Sequence, residues 1–202
     1  DCTNNGSVTG GNQVGGIAGF SSYDCIFTRC VNNGTITSLG NDGKAGGIIG
    51  QSDHDAFVNC YNTGEFVGAV YGGGIAGTLN TLNSSVPSTG LFNYQEATGS
   101  YSKGGLTGFS YLYYTFRGVY YHIDKLASGA TNQSMIAPKQ KPLEAFQNGE
   151  VAYLLNTDDG KAANSGTWSQ GVDHPVFADG STFLATQRIT FTDVDGTFKY
   201  AY

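Results

Sequence analysis

Through residues 1–110, runs of four to six residues with β-branched and aromatic character alternate with clusters of Gly, Asn, Ser and Asp. Gly34-Thr35-Ile36-Thr37 and Ala56-Phe57-Val58-Asn59 are examples. Such runs predict short strands divided by turns. No stretch of 10 to 15 residues in this part carries apolar residues at i, i+3 and i+4 without glycines. Each internal Gly would cost a helix about 1 kcal/mol relative to Ala, which excludes helical repeats.

The pattern is periodic. Aligned on Cys2, Cys30, Cys60 and Leu91, the chain places Asn4, Asn32, Asn62 and Asn93 two residues later, and Gly6, Gly34, Gly64 and an exceptional Gln95 four later. Val8, Ile36, Phe66 and Ala97 follow six residues after the same anchors. A second block recurs in step as Gly15-Gly16-Ile17-Ala18-Gly19, Gly46-Gly47-Ile48-Ile49-Gly50, Gly73-Gly74-Ile75-Ala76-Gly77 and Gly104-Gly105-Leu106-Thr107-Gly108. About three short strands per unit, repeated about every 30 residues, predict an all-β solenoid. It is a parallel β-helix of about four coils stacked at about 4.8 Å. The handedness bias of parallel crossovers makes it right-handed.

This reading assigns each column a task. Period-2 alternation turns Ile17, Ile48, Ile75 and Leu106 inward as one ladder and Cys2, Cys30 and Cys60 as another. The Asn column is expected at a corner, bonding turn backbone or the Asn of the next coil, with the Gly two places later supplying a positive φ. Gly16, Ala18, Phe20, Gly47, Ile49, Gln51, Gly74, Ala76, Thr78, Gly105, Thr107 and Phe109 then face outward. They make a flat, nearly uncharged face able to dock a partner or another part of the chain.

Composition sharpens the division. Of the 31 glycines, 23 lie in residues 1–110, and only 13% of residues are charged. A net charge of −6 removes the basic footprint that nucleic-acid binding needs. No apolar run approaches the roughly 18 residues of a membrane span, so no membrane insertion by this segment is expected. The chain opens at Asp1-Cys2-Thr3 without a basic n-region or hydrophobic h-region, so its true start is expected upstream or at a cleavage site. Its first coil starts without an evident cover, so further repeats and domains upstream, or a neighbouring molecule, are expected to cover it.

The repeats, with Asn59-Cys60-Tyr61-Asn62-Thr63-Gly64 between them, resemble the GLUG repeat of bacterial surface proteins. Gly149 to Asn156, Trp168-Ser169-Gln170 and His174-Pro175-Val176-Phe177 resemble the segment that commonly follows the last such repeat. The resemblance covers roughly residues 1–178. It implies a large secreted or cell-wall-attached protein of gut and mucosal bacteria, a group that includes adhesins, with an extracellular, cell-surface location. Some relatives carry a metallopeptidase domain of the immunoglobulin A protease kind, but no HExxH occurs here, and His54, His122 and His174 lie far apart.

Residues 1–122 are therefore read as the solenoid and 123–202 as an α+β cap closing it. In the cap, Pro142 suits the first helical position. Leu143, Phe146, Leu154 and Leu155 form an apolar stripe through 142–155, and Gly149 bends or splits the helix. Strands follow, including a hairpin from Arg188–Thr192 to Thr197–Tyr202 turning at Asp193-Val194-Asp195-Gly196.

Candidate chemistry is sparse. Cys2, Cys30 and Cys60 are expected as buried free thiols, because stacked neighbours have parallel Cβ vectors that bridge poorly. Cys25 stands either as a loop thiol or as a partner of Cys30. Asp53-His54-Asp55 has metal-ligand types but reads as a solvated turn, and no metal or other cofactor is expected. The acids of the repeats fall in no shared column, whereas glycoside hydrolysis needs two carboxylates facing one groove, so a non-enzymatic module is expected. The aromatic run Tyr111, Tyr113, Tyr114, Phe116, Tyr120, Tyr121 can stack on sugar rings, although alternation more simply turns half of it to the core. Tyr111, Tyr113, Tyr114, Phe20 and Phe109 are the candidate binding residues. Their expected partner is a host or bacterial surface ligand, either glycan or extracellular protein. The chain is thus read as an adhesin or a rigid display spacer, with a carbohydrate-binding or carbohydrate-active β-helix as the alternative.

Overall fold

A computed structural model describes residues 1–96, 98–111, 114–122, 135–157, 167–179, 189–192 and 198–201, the side chains of 114, 115, 117, 135–138 and of the two last segments excepted. The chain divides into two compact units, Asp1–Gln140 and Lys141–Tyr202. The unit that holds the coils therefore runs past position 122, because Met135–Lys141 pairs with the strand Tyr114–His122.

The first unit is a β-solenoid of about four turns built on four sheets, the fourth turn having no described strand in the second of them. Sheet A stacks Cys2–Asn4, Cys30–Asn32, Tyr61–Asn62 and Thr89–Asn93, with Tyr114–His122 next. Ile26–Thr28 and Ala56–Val58 belong to the same sheet. Sheet B stacks Val8–Gly10, Ile36–Ser38 and Phe66–Val67. Sheet C stacks Gln13–Gly15, Lys44–Gly46, Tyr71–Gly73 and Ser102–Gly104. Sheet D stacks Ala18–Ser22, Ile49–Asp53, Ala76–Leu79 and Thr107–Ser110.

The expected register holds: Asn4, Asn32, Asn62 and Asn93 are direct strand partners. Each amide Nδ2 donates to the Oδ1 of the next Asn, at 2.7, 2.7 and 2.9 Å. The other Nδ2 hydrogen of Asn4, Asn32 and Asn62 goes to the carbonyl of Gly6, Gly34 and Gly64. Those glycine N–H groups donate back to Oδ1. Asn32, Asn62 and Asn93 are buried, and buried amides are tolerable only when satisfied in this way.

The glycines of the first block have a different reason from the one expected. Gly6, Gly34 and Gly64 are not among the positive-φ residues. Gly64 is required because a Cβ there would lie 2.0 Å from the Gly34 carbonyl oxygen of the coil beneath. The second block is tied to the same ladder. A Cβ at Gly47 would meet Gly74 O at 2.2 Å and Asn62 Cβ at 2.6 Å, so the two recurring blocks of the repeat interlock across coils.

The inward ladder forms as expected, with Ile48, Ile75 and Leu106 buried and Ile17 packed against them. The outward assignment of Ile49 and Ala76 is corrected: both are fully buried in the same core. The backbone gives the reason. Ile48 and Ile49 both donate to Ile75 O, and Ile75 and Ala76 both donate to Leu106 O. Two successive N–H groups thus share one carbonyl of the next coil as the chain turns from sheet C to sheet D, and period-2 alternation breaks at that corner. Thr107 is likewise buried and Ala18 partly so, which removes the flat small-residue face.

Sheet A carries a second irregularity. Arg29 (φ 51°), Asn59 (54°), Gly90 (107°) and Gly118 (56°) occupy successive places in one column, each in the left-handed region. The path from sheet D back to sheet A differs in length between coils. Positions 22–27 and 53–57 serve the first two, whereas 80–88 serve the third.

The second unit holds α1 (Leu143–Gln147) and α2 (Glu150–Thr157) with two small antiparallel sheets. Gly149 (φ 94°) splits the expected helix in two, and Pro142 stands at the N-cap with extended backbone, one place before the first helical position. The buried stripe is Ala145, Phe146, Val151, Ala152 and Leu155, while Leu143 and Leu154 are half-exposed. Asn156 exchanges two hydrogen bonds with the backbone of Trp168, at 2.8 and 2.9 Å, pinning α2 to Trp168–Gln170. That strand pairs with Pro175–Phe177. The expected terminal hairpin is present as Ile189–Thr192 against Phe198–Ala201, and its turn at Asp193 to Gly196 lies outside the described residues.

Candidate ligand-binding cleft

Sheets C and D approach closely because glycines face each other between them. A Cβ at Gly46 would lie 1.9 Å from Ile49 O and 2.8 Å from Ala76 Cα. Larger side chains can fit only along the outer margin of this contact, and two columns meet there. Gln13, Lys44 and Tyr71 are register partners on sheet C, and Phe20, Gln51, Thr78 and Phe109 on sheet D. Gln13 Nε2 donates to Gln51 Oε1 at 2.9 Å, and the Tyr71 and Phe109 rings stand edge to face at 5.8 Å.

Between the columns lies a depression of about 370 Å³ lined by Lys44, Gln51, Thr78, Asn80 and Tyr111. Tyr111 is 61% exposed and rests edge-on against Phe109 at 4.8 Å. Phe109 touches Tyr71, which in turn meets Tyr101 at 5.5 Å. Lys44 is ion-paired with Asp42. Thr78 is 2% exposed, and its Oγ1 is buried with no hydrogen-bond partner among the described residues. Among the described residues no carboxylate lines the depression.

Of the residues expected to bind, Tyr111 lines the cleft and Phe109 supports it. Phe20 is 49% exposed and stands in the same register column beyond Gln51, at the far end from Phe109. Tyr113 lies outside the described residues, as does the side chain of Tyr114. Lys44 and Asn80 were not anticipated. Gln51 and Thr78 belonged to the outward set, and their shared column with Phe20 and Phe109 was the signal that could have found them.

The other candidates resolve into structure. Asp55, expected in a solvated turn, is fully buried and accepts from Ser52 Oγ (2.8 Å), Ser21 Oγ (3.2 Å) and the Cys25 N–H (3.1 Å). It ties the corner of one coil to that of the next. Asp24 Oδ1 lies 2.7 Å from His54 Nδ1 and accepts from Asn83 Nδ2 at 2.9 Å. Among the described residues no group of three His, Cys, Asp or Glu side chains could hold a metal ion. All four cysteines are free. Cys30 and Cys60 are buried, but Cys2 is exposed, because its strand is paired on one side only, and Cys25 is exposed without bridging Cys30. Burial pushes the Cys60 thiol well above its ordinary range and raises the Tyr61 phenol likewise.

No described helix is long and apolar enough to cross a membrane. No family model, no curated protein and no solved structure matches this chain. The class defined by the fold is the β-solenoid, and the reading of function rests on the chain's own geometry and on the repeat resemblance.

Proposed function

We propose that this chain is a non-catalytic module of a larger secreted bacterial protein, displayed at the cell surface as an adhesin whose shaft is the solenoid. The observation that carries the reading is the pairing of a stiff, saturated ladder with a single-sided cleft. Four in-register sheets and an unbroken amide column hold the coils rigidly, while a ring-lined depression opens on one margin. The resemblance to GLUG repeats supports the same assignment. Among the described residues the cleft lining holds no carboxylate, which favours binding over glycoside hydrolysis, a reaction that requires two acids about 5 to 9.5 Å apart.

The test is protease shaving of intact cells of the source organism, joined to a screen of the purified chain on glycan and extracellular-matrix arrays. Release of the module from intact cells and a positive array signal are expected. Retention in the cytoplasm overturns the surface assignment, and silence on every array with the protein at the surface replaces the adhesin with a spacer.

A further inference from the structure

We propose that the depression lined by Lys44, Gln51, Thr78, Asn80 and Tyr111 is a saccharide site that takes a neutral pyranose unit of a glycan. The proposal deepens, and rests on, the surface-adhesin reading above. Three independent features converge on this ligand chemistry.

The first is the ring. Tyr111 presents a largely exposed ring beside polar side chains, and it rests on Phe109, whose own ring packs against Tyr71. A fixed aromatic face next to hydrogen-bonding groups complements the C–H face of a sugar ring while its hydroxyls find polar partners.

The second is the polar inventory. Gln51 Oε1 is taken by Gln13, so the end of the Gln51 amide that remains is its NH₂, a pair of donors. Lys44 adds an ammonium whose charge is matched by Asp42. The lining is thus rich in donors without a free net charge, which suits hydroxyl oxygens better than a carboxylate or phosphate.

The third is Thr78. A buried hydroxyl without a partner is destabilising to the free protein. This one belongs to a side chain that lines the cleft, where an incoming hydroxyl would supply the missing partner. The cleft volume, about 370 Å³, lies within the roughly 300–1,000 Å³ of small-molecule sites.

The experiment is calorimetric and saturation-transfer titration of the whole chain with neutral gluco-, galacto- and manno-configured oligosaccharides, and with a uronate oligomer as a second arm. At least one neutral series is expected to bind. Tyr111→Ala should weaken it by about tenfold, the loss of one stacking ring, and Tyr111→Phe should restore most of it. Thr78→Val should weaken binding by about three- to tenfold, one hydrogen bond, while Tm stays level or rises, a split that a purely structural threonine would not give. Tyr23→Ala, at an exposed ring away from the cleft, should leave binding unchanged. Binding confined to the uronate and abolished by Lys44→Ala overturns the neutral assignment. Wild-type affinity in both Thr78→Val and Tyr111→Ala, or no saccharide binding at all, overturns the site. Such a failure with the module still released from intact cells leaves the surface reading standing, whereas cytoplasmic retention removes that reading whatever the titrations show.

Discussion

Two columns of polar side chains climb the solenoid at the coil spacing, and they end in opposite states. Along the Asn4, Asn32, Asn62, Asn93 column the inner amides spend both hydrogens and accept twice. Along the Gln51, Thr78 column one amide end and one buried hydroxyl are left over. The same stacking geometry produces both. The difference lies in the repeat: an identical residue in every coil lets each side chain serve its neighbour, whereas Phe, Gln, Thr and Phe in succession cannot form a chain. Uniform columns build the shaft, and mixed columns leave chemistry facing solvent.

Substitutions can break or sharpen this contrast. The largest effect is expected from Asn62→Leu. It strands Asn32 Nδ2 and Asn93 Oδ1 in a buried site and frees the Gly64 backbone, so a loss of roughly 3–5 kcal/mol is expected by chemical denaturation. Gly47→Ala forces a methyl against Asn62 and the Gly74 carbonyl and should cost about 1–3 kcal/mol in the same assay.

Alkali should act next. Unfolded Cys60 and Tyr61 ionise at their ordinary values, 9.0 and 10.0, while burial keeps both protonated to higher pH in the fold. The native state then binds more protons above pH 9, so stability falls as pH rises through this window, by at most about 1.4 kcal/mol per pH unit for each group. Thermal melts between pH 8 and 11 measure it, and a flat profile would contradict the buried placement of both. Asn4→Ala, at the partly exposed start of the same ladder, should cost under about 1 kcal/mol. Thr78→Val should change stability least, near zero or slightly favourable, and a loss as large as that of Asn62→Leu would show that its hydroxyl is structural after all.

The ladders were readable from sequence because they need only like residues recurring 27 to 31 positions apart. Asn4, Asn32, Asn62 and Asn93 meet that condition, and so do Ile48, Ile75 and Leu106. What was not readable depends on backbone geometry that no single residue type announces. The corner at Ile48-Ile49, where two N–H groups share one carbonyl, buries a residue that alternation turns outward. The left-handed column of Arg29, Asn59, Gly90 and Gly118 mixes three residue types, so the repeat alignment does not reveal it. The cleft is legible only in part. Tyr111 and Phe109 stand out as aromatics, but Lys44 and Asn80 reach it through the closeness of sheets C and D, which follows from glycines acting across coils.

The long third passage from sheet D to sheet A has a practical consequence. Asn83 folds its start, accepting from the Ser85 and Val86 N–H groups, and Ser88 Oγ accepts the Phe57 N–H at its close. Between these two anchors, Ser84, Ser85 and Pro87 are exposed. A shaft that tolerates extra length at one bend without losing its pitch is a natural place to splice in a foreign peptide and hold it at a known height.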